Sequence, residues 1–152
     1  MLDWYTADRN GRKLPEVLVN STRHTYFTFR RNVHDEYWEK QYNIPDFRSL
    51  ATGGDGDIVV YRNRKLPLSS YSHEMGHNLA NELYRDTHPP SGSRYKSVIE
   101  SDEKPVSEYA TKSDAEDFAD AIKYYVTRYE EFRAMHPLRF AVVDDIMRNG
   151  HE

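Results

Sequence analysis

Residues 69–86 read SSYSHEMGHNLANELYRD, and the rest of the chain has to be arranged around this stretch. From position 67 to about position 85, apolar residues recur at intervals of three and four, as on one face of an amphipathic helix. One of the three nearby serines is expected to cap the start of this helix. The apolar residues are Leu68, Tyr71, Met75, Leu79 and Leu83, and the serines are Ser69, Ser70 and Ser72.

The segment HEMGH, residues 73–77, lies on this predicted helix. His73 and His77 are four positions apart, so they share a face and both imidazoles can point at one cation. Glu74 is offset by about 100° around the helix axis, which suits a base acting on a water molecule better than a third ligand. The pattern indicates a zinc site, although it also arises by chance in helices that bind no metal.

Gly76, inside the same segment, is unusual in a helix interior. Glycine costs about 1 kcal/mol relative to alanine at such a position. We therefore expect a compensating reason for it, either the close approach of another backbone or the approach of a substrate.

The bulk properties of the chain predict one globular domain, residues 1–152. Its 38% hydrophobic content is low and its mean hydropathy is −0.91, but 12 tyrosines, six phenylalanines and two tryptophans can bury large areas. The net charge of −4 and the lack of a Lys/Arg block argue against nucleic acid as a partner. There is no cysteine, so disulfides are excluded.

The start of the chain, MLDWYTADRNGRK, has no apolar segment behind a basic one, and no run of residues approaches the length of a membrane span. We expect a soluble chain without a signal peptide. A cytoplasmic protein and a secreted or injected domain of a longer protein both remain open.

The first part of the chain, residues 1–66, is predicted to be rich in β-structure and to form a small twisted sheet. A short helix is expected at residues 35–42, and ATGGDGD (51–57) is expected to be a loop. The predicted strands are EVLVN (16–20), TYFTFR (25–30) and DIVVYR (57–62).

The second part, residues 67–152, is predicted to be helical. After the long helix, THPPSGS (87–93) breaks the chain, and residues 94–112 are expected to be irregular. A second long helix should run from Ser113 to about position 136, and a third from Pro137 to position 149 or 150. The predicted class is therefore α+β.

A catalytic zinc needs a third protein ligand besides the two histidines. The metzincin extension requires glycine and histidine where this chain has Ala80 and Leu83, so that class is excluded. A glutamate at the thermolysin spacing would fall near Ser97, where no acid occurs. His88 is a candidate, but it lies beside two prolines in a predicted loop.

Two acidic residues of the second long helix are further candidates. Glu116 is expected in the first helical turn beside the apolar stripe, and Asp120 one turn later on the same face. Glu116 could bind the metal, and Asp120 could accept the outer N–H of a ligand histidine and so fix its tautomer. Ser113 and Glu116 also fit the capping box S-x-x-E, which needs no metal.

HEMGH followed by SEYATKSDAEDFADA resembles the lethal-factor-like zinc metallopeptidases, the group of anthrax lethal factor and the Pro-Pro endopeptidases. Their HExxH motif is followed by a tyrosine and, seven positions later, by a glutamate. Tyr109 and Glu116 have this spacing, and the resemblance covers about residues 68–126. At position 120 the family usually has glutamate where this chain has aspartate.

The resemblance implies a zincin-like fold and a zinc-dependent endopeptidase with one zinc per chain. His73, His77 and Glu116 would be the ligands of a metal that activates water. Glu74 would be the general base, and Tyr109 would donate a hydrogen bond to the oxyanion.

We expect a peptide or protein substrate to lie extended along an edge strand, with DIVVYR as that strand. Two alternatives stay open. One is a non-catalytic zincin-like module with a binding or structural role, as in a toxin or phage protein. The other is a metal-dependent enzyme of nucleic acids, which the acidic balance disfavours.

Overall fold

A computed structural model of the protein describes residues 13–152, which form seven α-helices and a three-stranded sheet, so the predicted α+β class is confirmed. Residues 1–12 lie outside this range, and with them most of the N-terminal segment on which the expectation about a signal peptide was based. The strands are β1 (His24–Phe27), β2 (Ala51–Thr52) and β3 (Asp57–Val60), and two 3₁₀ turns span Tyr61–Asn63 and Tyr109–Lys112. The helices are α1 (Glu16–Asn20), α2 (Asp35–Tyr42), α3 (Leu68–Tyr84), α4 (Arg94–Ile99), α5 (Asp114–Thr127), α6 (Tyr129–Met135) and α7 (Pro137–Asn149).

The sheet has the order β1-β3-β2, with β3 in the middle. β3 pairs in parallel with β1 and antiparallel with β2, and its alternate residues Ile58 and Val60 are fully buried. The prediction that DIVVYR is an edge strand is therefore wrong, because β1 pairs along the whole length of β3. The segment ATGGDGD is also only partly a loop, since its first two residues form β2.

EVLVN is a helix, α1, and not the predicted strand. Its valines favour a strand, but Pro15 occupies the N-cap position and Leu18 is completely buried against the core. α1 contacts α3 and α7. Packing at the end of a short segment has overridden local propensity here, as tertiary contacts often do.

The long helices α3 and α5 form the main packing contact of the described residues. A Cβ atom added to Gly76 would lie 2.8 Å from the Cα of Ala119 on α5. Of the two reasons expected for a glycine at this position, the close approach of another backbone is confirmed. This approach brings α3 and α5 side by side, which positions the candidate site.

The predicted limits of α2, α3 and α7 are confirmed to within one or two residues, whereas three details differ. No serine side chain caps α3, which starts directly after Pro67, and Ser72 donates instead to the carbonyl of Leu68. Residues 94–112 are not wholly irregular, since they contain α4 and a 3₁₀ turn. The helix expected from Ser113 to position 136 is broken at Arg128 into α5 and α6, and the break lets Phe132 enter the core.

A buried ion pair anchors the start of α5. Arg139 of α7 is 1% exposed and donates to both carboxylate oxygens of Asp117 at 2.8 and 2.9 Å. The hydroxyl of Tyr95 donates to the same carboxylate at 2.7 Å. These hydrogen bonds give the buried carboxylate of Asp117 its partners, and they hold in place the helical turn that also carries Glu116.

None of the helices in residues 13–152 combines the length and the apolar character that crossing a membrane requires.

Candidate metal centre

His73 and His77 of α3 meet Glu116 of α5 at one point. The Nε2 atoms of His73 and His77 lie 3.0 and 3.4 Å from the same oxygen, Oε2 of Glu116. The ligand atoms of the three residues all lie within 4.8 Å of one another, and their side chains are only 12–13% exposed. The three side chains that the sequence singled out as metal ligands are thus brought together, which makes a possible metal-binding triad.

The donor atoms of this triad fit a cation. Oε2 of Glu116 is buried and accepts no hydrogen bond of good geometry from the described residues, which is rare for a buried carboxylate oxygen. If neutral His73 donates its Nδ1–H, its Nε2 turns a lone pair towards the lone pairs of that oxygen. Two imidazoles and one carboxylate are a common donor set of catalytic zinc.

Asp120 makes the contact that was expected of it. It is fully buried, and its Oδ1 lies 2.7 Å from Nδ1 of His73. Ser107 donates its hydroxyl to the other oxygen at 2.5 Å, and Nζ of Lys123 lies 2.9 Å from Oδ1. Asp120 is therefore held in one orientation and can fix the tautomer of His73 with Nε2 directed at the triad.

The electrostatics of the triad favour a positive charge at its centre. Burial opposes protonation of His73, but the hydrogen bond to Asp120 and the nearby carboxylate of Glu116 raise its pKa to about 10. Burial likewise opposes ionisation of Glu116, but the close imidazoles of His73 and His77 lower the pKa of this carboxyl well below its usual value. The same attraction would act on a bound metal ion.

Glu116 also takes part in the helix cap that the sequence offered as an alternative. Its backbone N–H donates to Oγ of Ser113 at 3.2 Å, so Ser113 does cap α5. The carboxylate of Glu116, however, is directed at the two histidines. The cap uses the backbone and the triad uses the side chain, so the two interpretations are compatible.

Glu74 lies on α3 between the two histidines, where β2 ends against the helix. The backbone N–H of Gly53 bonds its carboxylate. A Cβ atom on Gly53 would lie 2.5 Å from the carbonyl oxygen of Glu74, so a larger residue would push β2 away. Burial raises the pKa of Glu74, against the lowering effect of both histidines and of this hydrogen bond.

Tyr109, in the 3₁₀ turn before α5, lies beside the triad. Its ring centroid is 5.8 Å from that of His73. Burial, the charge of Glu116 and contact with Tyr42 raise the pKa of Tyr109 far above its usual value. Its hydroxyl therefore stays protonated and can donate a hydrogen bond.

Sequence reasoning missed Tyr42, the last residue of α2. Its ring is 6.1 Å from that of Tyr109, and its hydroxyl is within hydrogen-bonding reach of Tyr109 and Glu116. Trp38 lies one helical turn earlier with its ring stacked on Tyr42. Two aromatic residues four apart on a predicted helix were the available signal, but nothing local linked that helix to HEMGH.

His88, the other candidate ligand, is not part of the triad. Its Nδ1 lies 3.3 Å from a carboxylate oxygen of Asp86, and its side chain is more than half exposed. It lines the same cavity as the triad without joining it.

The triad, Glu74 and Tyr109 all face one open cavity of about 670 Å³. This volume is in the range of sites that bind small molecules or short peptide segments. β2 and the residues around it form one side, and α2 and the 3₁₀ turn before α5 contribute the aromatic side.

Comparison with known proteins does not assign the chain: no protein-family model matches it, and no similar curated protein is found.

Proposed function

We propose that the chain is a zinc-dependent endopeptidase of the lethal-factor-like type that its sequence resembles. The observation that carries the proposal is the meeting of His73, His77 and Glu116 at one point, although they lie on two helices far apart in the sequence. Glu74 and Tyr109 border the same cavity, which supports a hydrolytic site more than a purely structural metal site.

In this proposal, His73, His77 and Glu116 hold the zinc. Zinc bound in this way lowers the pKa of water and polarises a carbonyl group. Glu74 takes a proton from the attacking water and gives it to the leaving amine, a role that its place between the two histidines beside the cavity allows. Tyr109 donates a hydrogen bond to the scissile carbonyl oxygen as that oxygen gains negative charge, which is worth a few kcal/mol in comparable sites.

The substrate strand is assigned to β2 and no longer to β3. β2 has β3 on one side, and Leu50, Ala51 and Thr52 line the cavity on the other. The backbone N–H of Tyr61 donates to the carbonyl of Leu50. In an antiparallel pair, hydrogen-bonded residues alternate along each strand, so the N–H and C=O of the next residue, Ala51, point away from β3. An extended peptide could pair with these groups without any demand on its sequence.

The test combines metal analysis with digestion of an unbiased peptide library. We expect about one zinc per chain and cleavage that is abolished in Glu74→Gln while zinc stays bound. Glu82→Gln, on the exposed side of α3, is the matched control and should cleave like the wild type.

Two outcomes would change the assignment. Zinc binding without cleavage of any peptide would favour the non-catalytic zincin-like module. Loss of zinc in Glu74→Gln would contradict the role of Glu74 as base.

A further inference from the structure

We propose that Trp38, Tyr42 and Phe47, here called the aromatic wall, bind a large apolar or aromatic side chain of the substrate next to the scissile bond. The inference rests on the proposed peptidase function and names the class of peptide that the site prefers.

The aromatic wall is an ordered cluster. The rings of Trp38 and Tyr42 stack at 5.3 Å with an interplanar angle of 17°, and the edge of Phe47 meets Tyr42 at 5.4 Å. All three residues line the cavity of the metal centre. None of them belongs to the hydrophobic core formed by the described residues, so their packing serves the cavity wall and not the interior.

The aromatic wall is continuous with the metal centre. Tyr42 reaches Tyr109 and Glu116 with its hydroxyl, and Tyr109 in turn contacts His73. A side chain lying on the wall would therefore belong to one of the residues nearest the bond that is cut. A peptide extended along β2 projects alternate side chains to opposite faces, so one position can contact the wall while its neighbours do not.

Other residues of the cavity define what the wall would accept. Leu50, just before β2, is 42% exposed and adds an apolar group to the same cavity. Nζ of Lys112 lies 4.2 Å from the centroid of the Tyr42 ring, a cation–π contact that already occupies one face of that ring. Arg48 also lines the cavity, so a lysine or arginine side chain of the substrate would meet like charge there.

The expected preference follows from the size of an apolar contact. Burying a large apolar or aromatic side chain should raise kcat/KM about 10- to 100-fold over alanine at the same position. Lysine and arginine should be the poorest residues there. The preference should appear at one position of the peptide only, on one side of the cleaved bond.

The first experiment is digestion of a peptide library by the zinc-loaded wild-type protein, followed by kinetics on two peptides that differ only by Phe or Ala at the selected position. Trp38→Ala should reduce the Phe/Ala ratio in kcat/KM to within about threefold of one. Trp38→Leu, which keeps an apolar surface, should fall in between. Phe29→Ala is the matched control, because Phe29 is 85% exposed outside the cavity, and it should leave the ratio unchanged.

The outcomes separate this inference from the proposed function. Cleavage without an apolar preference, or a preference that Trp38→Ala leaves intact, would overturn the aromatic wall and spare the peptidase. If the wild type cleaves nothing, the peptidase proposal fails and the inference about the aromatic wall fails with it. Where the wild type cleaves, the inactive Glu74→Gln protein should bind the Phe peptide at least tenfold more tightly than the Ala peptide, and adding Trp38→Ala should remove the difference; equal binding of the two peptides would overturn the wall. Circular dichroism of each variant shows whether it is folded.

Discussion

Replacing Gly76 by alanine is the sharpest test of how the fold builds the site. The new Cβ atom would lie 2.8 Å from Cα of Ala119, and 3.2 Å from both its carbonyl oxygen and Cβ of Ile122. All three atoms belong to the backbone or to the root of a side chain, so none can swing away. Relief therefore requires α3 and α5 to move apart.

The magnitude follows from two opposing effects. Overpacking a core contact costs about 1–3 kcal/mol, and three rigid contacts place this substitution near the upper end. Alanine recovers about 1 kcal/mol of helix propensity over glycine. We expect a net loss of about 2 kcal/mol in the free energy of unfolding. For a chain of 152 residues this lowers Tm by about 4–8 °C.

The assay is urea and thermal unfolding followed by circular dichroism, with a chelator present so that bound metal does not contribute. Glu82→Ala, on the exposed side of the same helix, should change stability by no more than about 0.5 kcal/mol. Zinc affinity should fall in Gly76→Ala as well, because the helices that move apart carry His77 and Glu116. A Gly76→Ala protein as stable as the wild type, or more stable, would refute the close packing of α3 against α5.

Three further predictions concern the triad and its surroundings. Ser113→Ala should lower stability by about 1 kcal/mol with little change in zinc affinity, whereas Glu116→Ala should weaken zinc binding at least 100-fold. Calorimetric titration of zinc into both variants tests the ligand role of Glu116 separately from the helix cap, and a Glu116→Ala protein that binds zinc like the wild type would remove Glu116 from the ligands. Asp120→Asn should weaken zinc about 10- to 100-fold in the same titration, and an unchanged affinity would remove Asp120 from the support of the ligand. In chelator, the free energy of unfolding should fall as pH rises from about 6.5 towards 10, because the folded-state pKa of His73 is raised to about 10 and its contribution is lost as pH rises through that value. The free energy of unfolding should also fall as pH decreases below about 4.5. The pKa of Glu116 is lower in the folded than in the unfolded chain, so this carboxyl contributes its full stability only above the unfolded-state value and loses it as pH decreases. Urea titrations from about pH 2 to pH 10 measure both effects, and a flat profile would contradict the coupling of these two groups.

Features that depend on residues close together in the sequence could be predicted from the sequence. The three–four spacing around HEMGH predicted α3 to within one residue at each end. The cost of Gly76 in a helix predicted a close approach, and the first turn of the second long helix predicted where an acid could face the histidines. The roles of these residues as ligands, base and oxyanion donor stay predictions.

Features that depend on contacts between residues far apart in the sequence could not be predicted from it. EVLVN has strand-like composition, yet burial of Leu18 makes it a helix. DIVVYR looks like any short strand, and only its pairing with β1 shows that it cannot be an edge. Tyr42 reaches the metal centre from a helix some thirty positions before HEMGH, with no local signal of that contact.

The sequence by itself determined which side chains share a face of each long helix, because helical periodicity is a property of consecutive residues. It therefore specified two imidazoles on one helix and a carboxylate on another. Only the tertiary structure decided that these meet, since the distance between α3 and α5 is set by the contact of Gly76 with Ala119 and by the ion pair that holds the start of α5. The position of β2 as an outer strand beside the cavity, and of α2 as a wall of the cavity, depends on the same long-range packing.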